Sequence, residues 1–524
     1  MGEVRRSTAA GRRLRHLVAL LAAAFLGLAA AKGTITVGAP TEPPTLDPQL
    51  DAGGPSSVVQ ESIFETLVAF DQNMVLQPHL ATGWEVSDDG LEYTFTLREG
   101  VTFHDGTPLN AEAVKFTFDR ALGEVDGRQS RYVTLLSQLD RVEVVDDLTV
   151  RFVLKQPFAP FINNLAQLGN AIISPTAYQE LGDGFGRQPV GTGPFRIVEW
   201  VTGQSITLER NPDYWQDGLP LLDGVVFRYI PDGSSRVIAL ESGEVDLILQ
   251  VPEPDFLRLE AEGQFQTYKA ETLRTVFLWF NPNQPPFDDV AVREAITMAV
   301  DREGIGAAIL EGLHRPATQA SFSPNVFGVS EMEHQLVYDP EAAAAALDAA
   351  GWQVGPDGIR VKDGQRLSFT LYTTTNRYPK DAEIGAYLRA SLARDLGAEV
   401  ELGTYEWETY RDHIFAKDLG LFLFGAGVST GDIDYVMTII FHSSSTNYNQ
   451  YVTSVDDDIL TAQTITDPEE RVAAYREILD AIAEEYLWVP LYWQSDLHAA
   501  RPGVEGFAAH PLEKVSFLNV SVGE

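Results

Sequence analysis

The sequence predicts an α/β fold in two lobes. One strand–helix–strand run covers Val225 to Ile230, Ser234 to Ser242 and Asp246 to Leu249. A second, in the other half of the chain, covers Leu367 to Thr373, Asp381 to Asp395 and Glu399 to Leu402. Each places a stretch of helical period between two short apolar runs. Length agrees. A chain of 524 residues, at about 150 residues per domain, has room for two to four domains with cores of their own. Hydrophobic content of 44% and charged content of 22% are ordinary for a globular protein.

The first segment reads as an export signal, residues 1–31. Arg5, Arg6, Arg12, Arg13 and Arg15 form a basic start, Leu17 to Leu28 a short apolar core, and Ala29 to Ala31 a small-residue cleavage site. The apolar run is shorter than the roughly 20 residues of a spanning helix. Arg12-Arg13 hints at twin-arginine export, but Leu14, Arg15 and His16 do not continue that pattern, and general secretion is favoured. Without the signal, 33 basic side chains face 74 acidic ones, a net charge of −41. Such a surface repels nucleic acid and anionic lipid and favours solubility. The chain has no cysteine, which excludes disulfides, thiolate chemistry and a lipid-anchoring cysteine. A bacterial periplasm is the expected location.

Thr34 to Gly38 alternates as a short strand, and Val58 to Leu67 reads as a helix. Trp84 to Arg98 alternates around Ser87-Asp88-Asp89-Gly90, the signature of a hairpin. Val101 to Gly106 reads as a strand and turn. Asn110 can cap a helix whose apolar face is Val114, Phe118, Ala121 and Leu122. Val142 to Leu154 gives another hairpin, and strands follow at Arg196 to Trp200 and Ser205 to Arg210. Thr275 to Asn281 is a buried strand. Asp288 or Asp289 caps a helix through Val300, Asp339 to Ala350 is a helix ended by Gly351, Asp467-Pro468 starts another, and Val489 to Trp493 is a strand.

The stretch from Leu421 to Ser443 carries the strongest chemical signal. An apolar run to Phe424 is followed by a glycine-rich turn, and Asp432 or Asp434 can cap the helix after it. A turn between a buried strand and a helix start is where α/β proteins hold ligands. The turn also spells Gly427-Val428-Ser429-Thr430-Gly431, the pattern of a serine hydrolase elbow. Asp434 and His442 follow too closely to fold back easily as a base and its orienting acid; His498 and His510 come later in the chain, but a chance match is the stronger account. The histidines show no ligand spacing for a metal, and Asp456-Asp457-Asp458 lacks the alternation of a calcium loop. Gly191-Thr-Gly193 lacks the third glycine of a dinucleotide fingerprint. No cofactor is expected.

Several longer stretches carry a resemblance: WEVSDDGLEYTFTLREGVTFHDGTPLNAEAVKFTFDR (Trp84 to Arg120), PVGTGPFRIVEW (Pro189 to Trp200), NPDYW (Asn211 to Trp215) and FDDVAVREAITMAVDRE (Phe287 to Glu303). YDPEAAAAALDAAGW (Tyr338 to Trp352) and VPLYW (Val489 to Trp493) join them. Together they resemble the extracytoplasmic solute-binding proteins of peptide- and nickel-type ABC importers, family 5, over nearly all of residues 33–524. The resemblance implies a two-lobed periplasmic-binding-protein (Venus flytrap) fold. Lobe one would take 32–52, 176–274 and 494–524, with an extra domain, 53–175, packed on it; lobe two would take 275–493. Two strands would cross between the lobes, near Arg274 to Phe277 and near Tyr492 to Gln494. A ligand would sit between the closing lobes, and the closed monomer would deliver it to a membrane permease with its ATPases.

The same resemblance implies ligand-binding positions. Glu42 and Thr45 would face the cleft from lobe one. Trp279 and Asn281 would lie on the strand entering lobe two. Thr375, Asn376 and Tyr378 would face the far end of the ligand, Tyr405 and Trp407 would form an aromatic wall, and Gly425, Ala426, Gly427 and Ser429 would form the loop beside the ligand. Core packing accounts for each aromatic equally well. Where peptide binders carry an aspartate for the ligand's ammonium, Ser429 stands here, and Ala426 stands for their tryptophan. Without that carboxylate a buried ammonium lacks its partner, unless Asp432 or Asp434 substitutes. The expected ligand is then a small solute for which a neutral oligosaccharide or another non-peptide stands beside the family's oligopeptides, with serine hydrolysis at Ser429 as the alternative function.

Overall fold

The computed structural model describes residues 33–319, 321–375, 377–443 and 455–523; the expected export signal lies outside them. Strand β1 (Thr34–Ala39) leads to a one-turn helix α1 (Pro55–Gln60). The helix expected through Leu67 stops there because the carbonyls of Ser62 and Ile63 accept from the amides of Phe195 and Gly193. Strands β2 (Ala81–Val86) and β3 (Glu92–Leu97) form the expected hairpin. The strand expected at Val101 is instead a turn closed by Phe103 N–H on Thr107 O, with a single bridge from Thr102 to Pro108.

Helix α2 (Ala111–Leu122) starts as the sequence implies, with the Asn110 side chain accepting from Ala113 N–H. Strands β4 (Leu139–Asp146) and β5 (Thr149–Leu154) complete a four-stranded antiparallel sheet in the order β2-β3-β5-β4. Its inward residues Phe95 and Phe152 pack on Val114 and Phe118 of α2; the rings of Phe118 and Phe152 meet edge to face at 4.8 Å. A short helix α3 (Phe161–Leu165) closes this core.

The remaining strands build one large sheet. In chain order they begin with β6 (Phe195–Val201), β7 (Ser205–Arg210) and β8 (Gly224–Tyr229). Helix α4 (Gly233–Glu241), capped by Asp232, returns to β9 (Leu247–Ile248), and α5 (Glu253–Glu262) follows. Strand β10 (Gln266–Phe280) is twice the expected length. Helix α6 (Val290–Ala299) is capped by Asp289, the two-residue β11 is Arg315–Pro316, and α7 (Pro340–Ala349) is capped by Asp339. Then come β12 (Ser368–Thr374), α8 (Asp381–Leu396), β13 (Glu399–Tyr405), α9 (Trp407–Ala416) and β14 (Leu421–Gly427). Helix α10 (Pro468–Glu484), capped by Asp467, leads into β15 (Trp488–Ala500).

The strand order is β13-β12-β14-β10-β15-β9-β1-β8-β7-β6, with β11 beside β15. Each strand–helix–strand run foreseen in the sequence is parallel: β12 and β13 are neighbours, while β1 lies between β8 and β9 and is parallel to both. Apolar side chains alternate along β10. Val276, Leu278 and Phe280 enter a core covered by α6, α7 and α8, while Phe277 and Trp279 enter another core that includes Tyr475 and Ile478 of α10. A sheet covered on both faces explains why these strands read as unbroken apolar runs.

Strands β10 and β15 are neighbours in the middle of the large sheet. They pair antiparallel from Gln266 with Ala500 to Trp279 with Trp488. Pairing jumps from Glu271 with Ser495 to Thr275 with Trp493, so Thr272, Leu273 and Arg274 stand opposite Gln494 alone. A bulge of this kind bends a strand and redirects its side chains, and Arg274 lies within this one.

Candidate ligand site between the lobes

Strand β14 lies antiparallel to β10, with Gly425 opposite Val276 and Gly427 opposite Arg274. After Gly427 the chain turns through Gly431, whose N–H donates to Val428 O. The expected helix is short: one turn at Asp434–Val436, then a wide turn at Met437–Phe441. Asp432 accepts from Asp434 N–H, which is the foreseen capping role, but its chief partner is Arg471 at 2.5 Å. Asp434 does not cap. Its carboxylate accepts from Tyr475 Oη and Gln463 Nε2, each at 2.9 Å. Burial, and then the charge of Asp432, push the Asp434 carboxyl up to about 6. With 0% and 3% exposure, both carboxylates are buried and already engaged by protein partners.

The predicted residues fall into separate groups. Tyr378, Trp407 and the end of β14 come together. Tyr378 Oη donates to Gly425 O at 3.4 Å, and the Trp407 ring stacks on Phe424 with 18° between planes. The Arg377 guanidinium lies 4.7 Å over Trp407. Tyr405 stacks on Tyr372 at the border of the same apolar cluster. Ala426 is buried in that cluster.

Trp279 belongs to the core. It is 5% exposed, donates from Nε1 to Phe424 O, and sits between Phe441 and Trp488. Asn281 shapes a turn, accepting from Asn283 N–H and donating to Lys417 O. Packing and turn formation therefore account for these two. Thr375 donates to Glu406, and Asn376 lies outside the described residues. In lobe one, Glu42 accepts from Trp200 Nε1 and Gly203 N–H, and Thr45 Oγ1 accepts from Asp47 N–H. Neither is bonded to the lobe-two group.

Ser429 is the informative position. Its Oγ is buried beside the Tyr435 hydroxyl and makes no hydrogen bond of good geometry among the described residues. Among the described residues no histidine bonds it, so the elbow pattern lacks its base there. Burial raises the Tyr435 phenol, against the opposing pull of Ser429 and of the charges of Arg274 and Arg131. Tyr435 also acts electrostatically on Tyr132, whose hydroxyl accepts from Ala52 N–H. The charges of Arg274 and Arg131 thus both act on the Tyr435 phenol, which has Ser429 beside it. Arg131 is 58% exposed, and its nearest acid, Asp51, is 3.7 Å away. Tyr435, Arg131 and Arg274 are not among the residues expected at the site, because nothing in their local pattern marks them.

Other contacts link distant parts of the chain. Ala159 N–H donates to Gln463 O at 2.8 Å, and Asn163 Nδ2 donates to Asp432 at 3.2 Å. Among the described residues there is no cluster of metal-ligating side chains and no helix long and apolar enough to cross a membrane.

Two halves built on one sheet and sharing the paired strands β10 and β15 define a two-lobed α/β fold. The comparisons name its kind. The family described as bacterial extracellular solute-binding proteins, family 5, matches residues 75–448, and the chain belongs to that family. The glutathione-binding protein GsiB of Salmonella typhi is 33% identical over 513 residues, covering 94% of this chain and 95% of GsiB. GsiB of Pectobacterium atrosepticum is 31% identical, covering 92% of each. Among solved structures, NikA from Brucella suis in complex with Fe(III)-EDTA aligns with a TM-score of 0.84 at 28% identity, covering 94% of this chain and all of NikA. The periplasmic binding protein DppA from Helicobacter pylori, in complex with the peptide STSA, aligns with a TM-score of 0.80 at 28% identity, covering 94% of this chain and 98% of DppA.

Proposed function

We propose that the protein is the receptor of an ABC importer and captures a carboxylate-bearing solute of the peptide or glutathione type between its lobes. It delivers that solute to a membrane permease, working as a monomer in the periplasm after loss of residues 1–31. The lobes follow the division 32–52, 176–274 and 494–524 against 275–493, with 53–175 as the extra domain. Closure brings ligand contacts from both lobes together, so ligand favours the closed form by its differential affinity.

One observation carries the ligand class: the charges of Arg131 and Arg274 act on Tyr435, which has Ser429 beside it, while the candidate acids Asp432 and Asp434 are taken up by Arg471, Tyr475 and Gln463. A cation flanked by hydroxyl donors suits a carboxylate. The relatives named for glutathione, and the DppA complex with a peptide, agree with this class. The neutral oligosaccharide has no support among them, and neither has hydrolysis at Ser429. Isothermal titration of the mature chain with reduced glutathione, di- to pentapeptides and a neutral oligosaccharide tests the reading. Arg131→Gln should weaken the peptide-type ligand about tenfold, the worth of one charge-assisted hydrogen bond, with melting temperature unchanged. Binding of the sugar alone overturns it.

A further inference from the structure

We propose that Glu513 is a positioning residue for the ligand loop and acts through Arg274. The proposal rests on the reading of Gly425–Ser429 as that loop. Both carboxylate oxygens of Glu513 are engaged: Oε1 accepts from Arg274 Nε and Oε2 from Arg274 Nη2, each at 2.8 Å. A two-pronged pair fixes the plane of the guanidinium as well as its place. That plane lies over the end of β14. A Cβ on Gly427 would stand 2.9 Å from Arg274 Nη2, and Arg274 Nη1 donates to Gly425 O at 3.4 Å. One side chain in the bulge between the lobes therefore supports both glycines of the loop.

The segment holding Glu513 is built for this. Glu513 has φ 59°, a left-handed backbone that costs a non-glycine residue about 1 kcal/mol. Its N–H donates to His510 O, and Leu512 N–H donates to His510 Nδ1. Leu273 N–H, next to Arg274, donates to Pro511 O, and Lys514 pairs with Glu61 at 3.1 Å. Leu512 packs against the lobe-two core, while Val515 and Phe517 belong to the lobe-one core. The segment thus spans the hinge, and its strained residue is the one that carries the carboxylate.

Hydrogen exchange on the ligand-free mature chain tests the proposal. Glu513→Gln and Arg274→Gln should each speed exchange of amides in 421–430 by about tenfold or more, and leave those of 34–39 unchanged. The double variant should match either single variant, because the two act as one unit. Glu513→Asp, which keeps the charge, should restore part of the protection. Unchanged exchange in Glu513→Gln, additive effects in the double variant, or equal loss at 34–39 would each overturn the proposal. No ligand enters the measurement, so failure to find a ligand would count against the receptor reading and leave this result standing.

Discussion

The Tyr378 ring lies against the backbone of Gly425, where a Cβ would stand 2.5 Å from Cε1. This contact closes the aromatic side of the loop, and the Arg274 guanidinium closes the other over Gly427. Gly425→Ala must displace the ring, and overpacking of this kind costs about 1–3 kcal/mol. Denaturant unfolding should report that loss, and Tyr378→Ala in the same chain should recover part of it. An undiminished loss in the double variant would mean that the ring is not what the new methyl meets.

Two tryptophans that the sequence could not separate should behave differently. Trp279 is enclosed by Phe277, Phe441 and Trp488, so Trp279→Ala should cost about 3–5 kcal/mol of stability, as a large core truncation does. Trp407 is half-buried and stacks on Phe424 from one side. Trp407→Ala should cost less than half as much in an unfolding titration and should act mainly on ligand affinity.

Local sequence speaks for short-range features of this fold and is silent on long-range ones. Helix starts were legible because Asn110, Asp289, Asp339 and Asp467 act within three residues of themselves. The apolar run at Leu421 was legible because both faces of β14 are buried. The strand at Val101 was misread because its alternation serves a tight turn, closed by Phe103 and Thr107. The pairing of Arg274 with Glu513 spans 239 positions, and no local pattern marks it. Whether Asp432 and Asp434 face a ligand or Arg471 and Tyr475 was equally hidden, since either arrangement suits the same turn.

Asp434 should make stability depend on pH. Its carboxyl moves from an ordinary 3.8 to about 6 in the fold, so between those values the folded chain holds a proton that the unfolded chain has lost. Stability contributed by the protonated group is complete below the unfolded value and falls as pH rises through about 6. The loss is of order 2–3 kcal/mol at most, at about 1.4 kcal/mol per pH unit. Asp434→Asn keeps an oxygen for Tyr475 and Gln463 and should remove that slope. Unfolding midpoints of the two chains should therefore diverge between pH 4 and pH 6, with the variant the more stable at pH 7. Parallel curves would contradict the raised value.

Capture of a carboxylate-bearing solute by lobe closure is the central claim, and small-angle X-ray scattering with ligand titration tests it most directly. The mature chain should contract on adding reduced glutathione or a short peptide. Its melting temperature should rise with ligand concentration, as binding to the folded state alone requires. Arg131→Gln should need about tenfold more ligand for the same contraction. No contraction with any carboxylate-bearing ligand, or contraction only with a neutral oligosaccharide, would contradict the account.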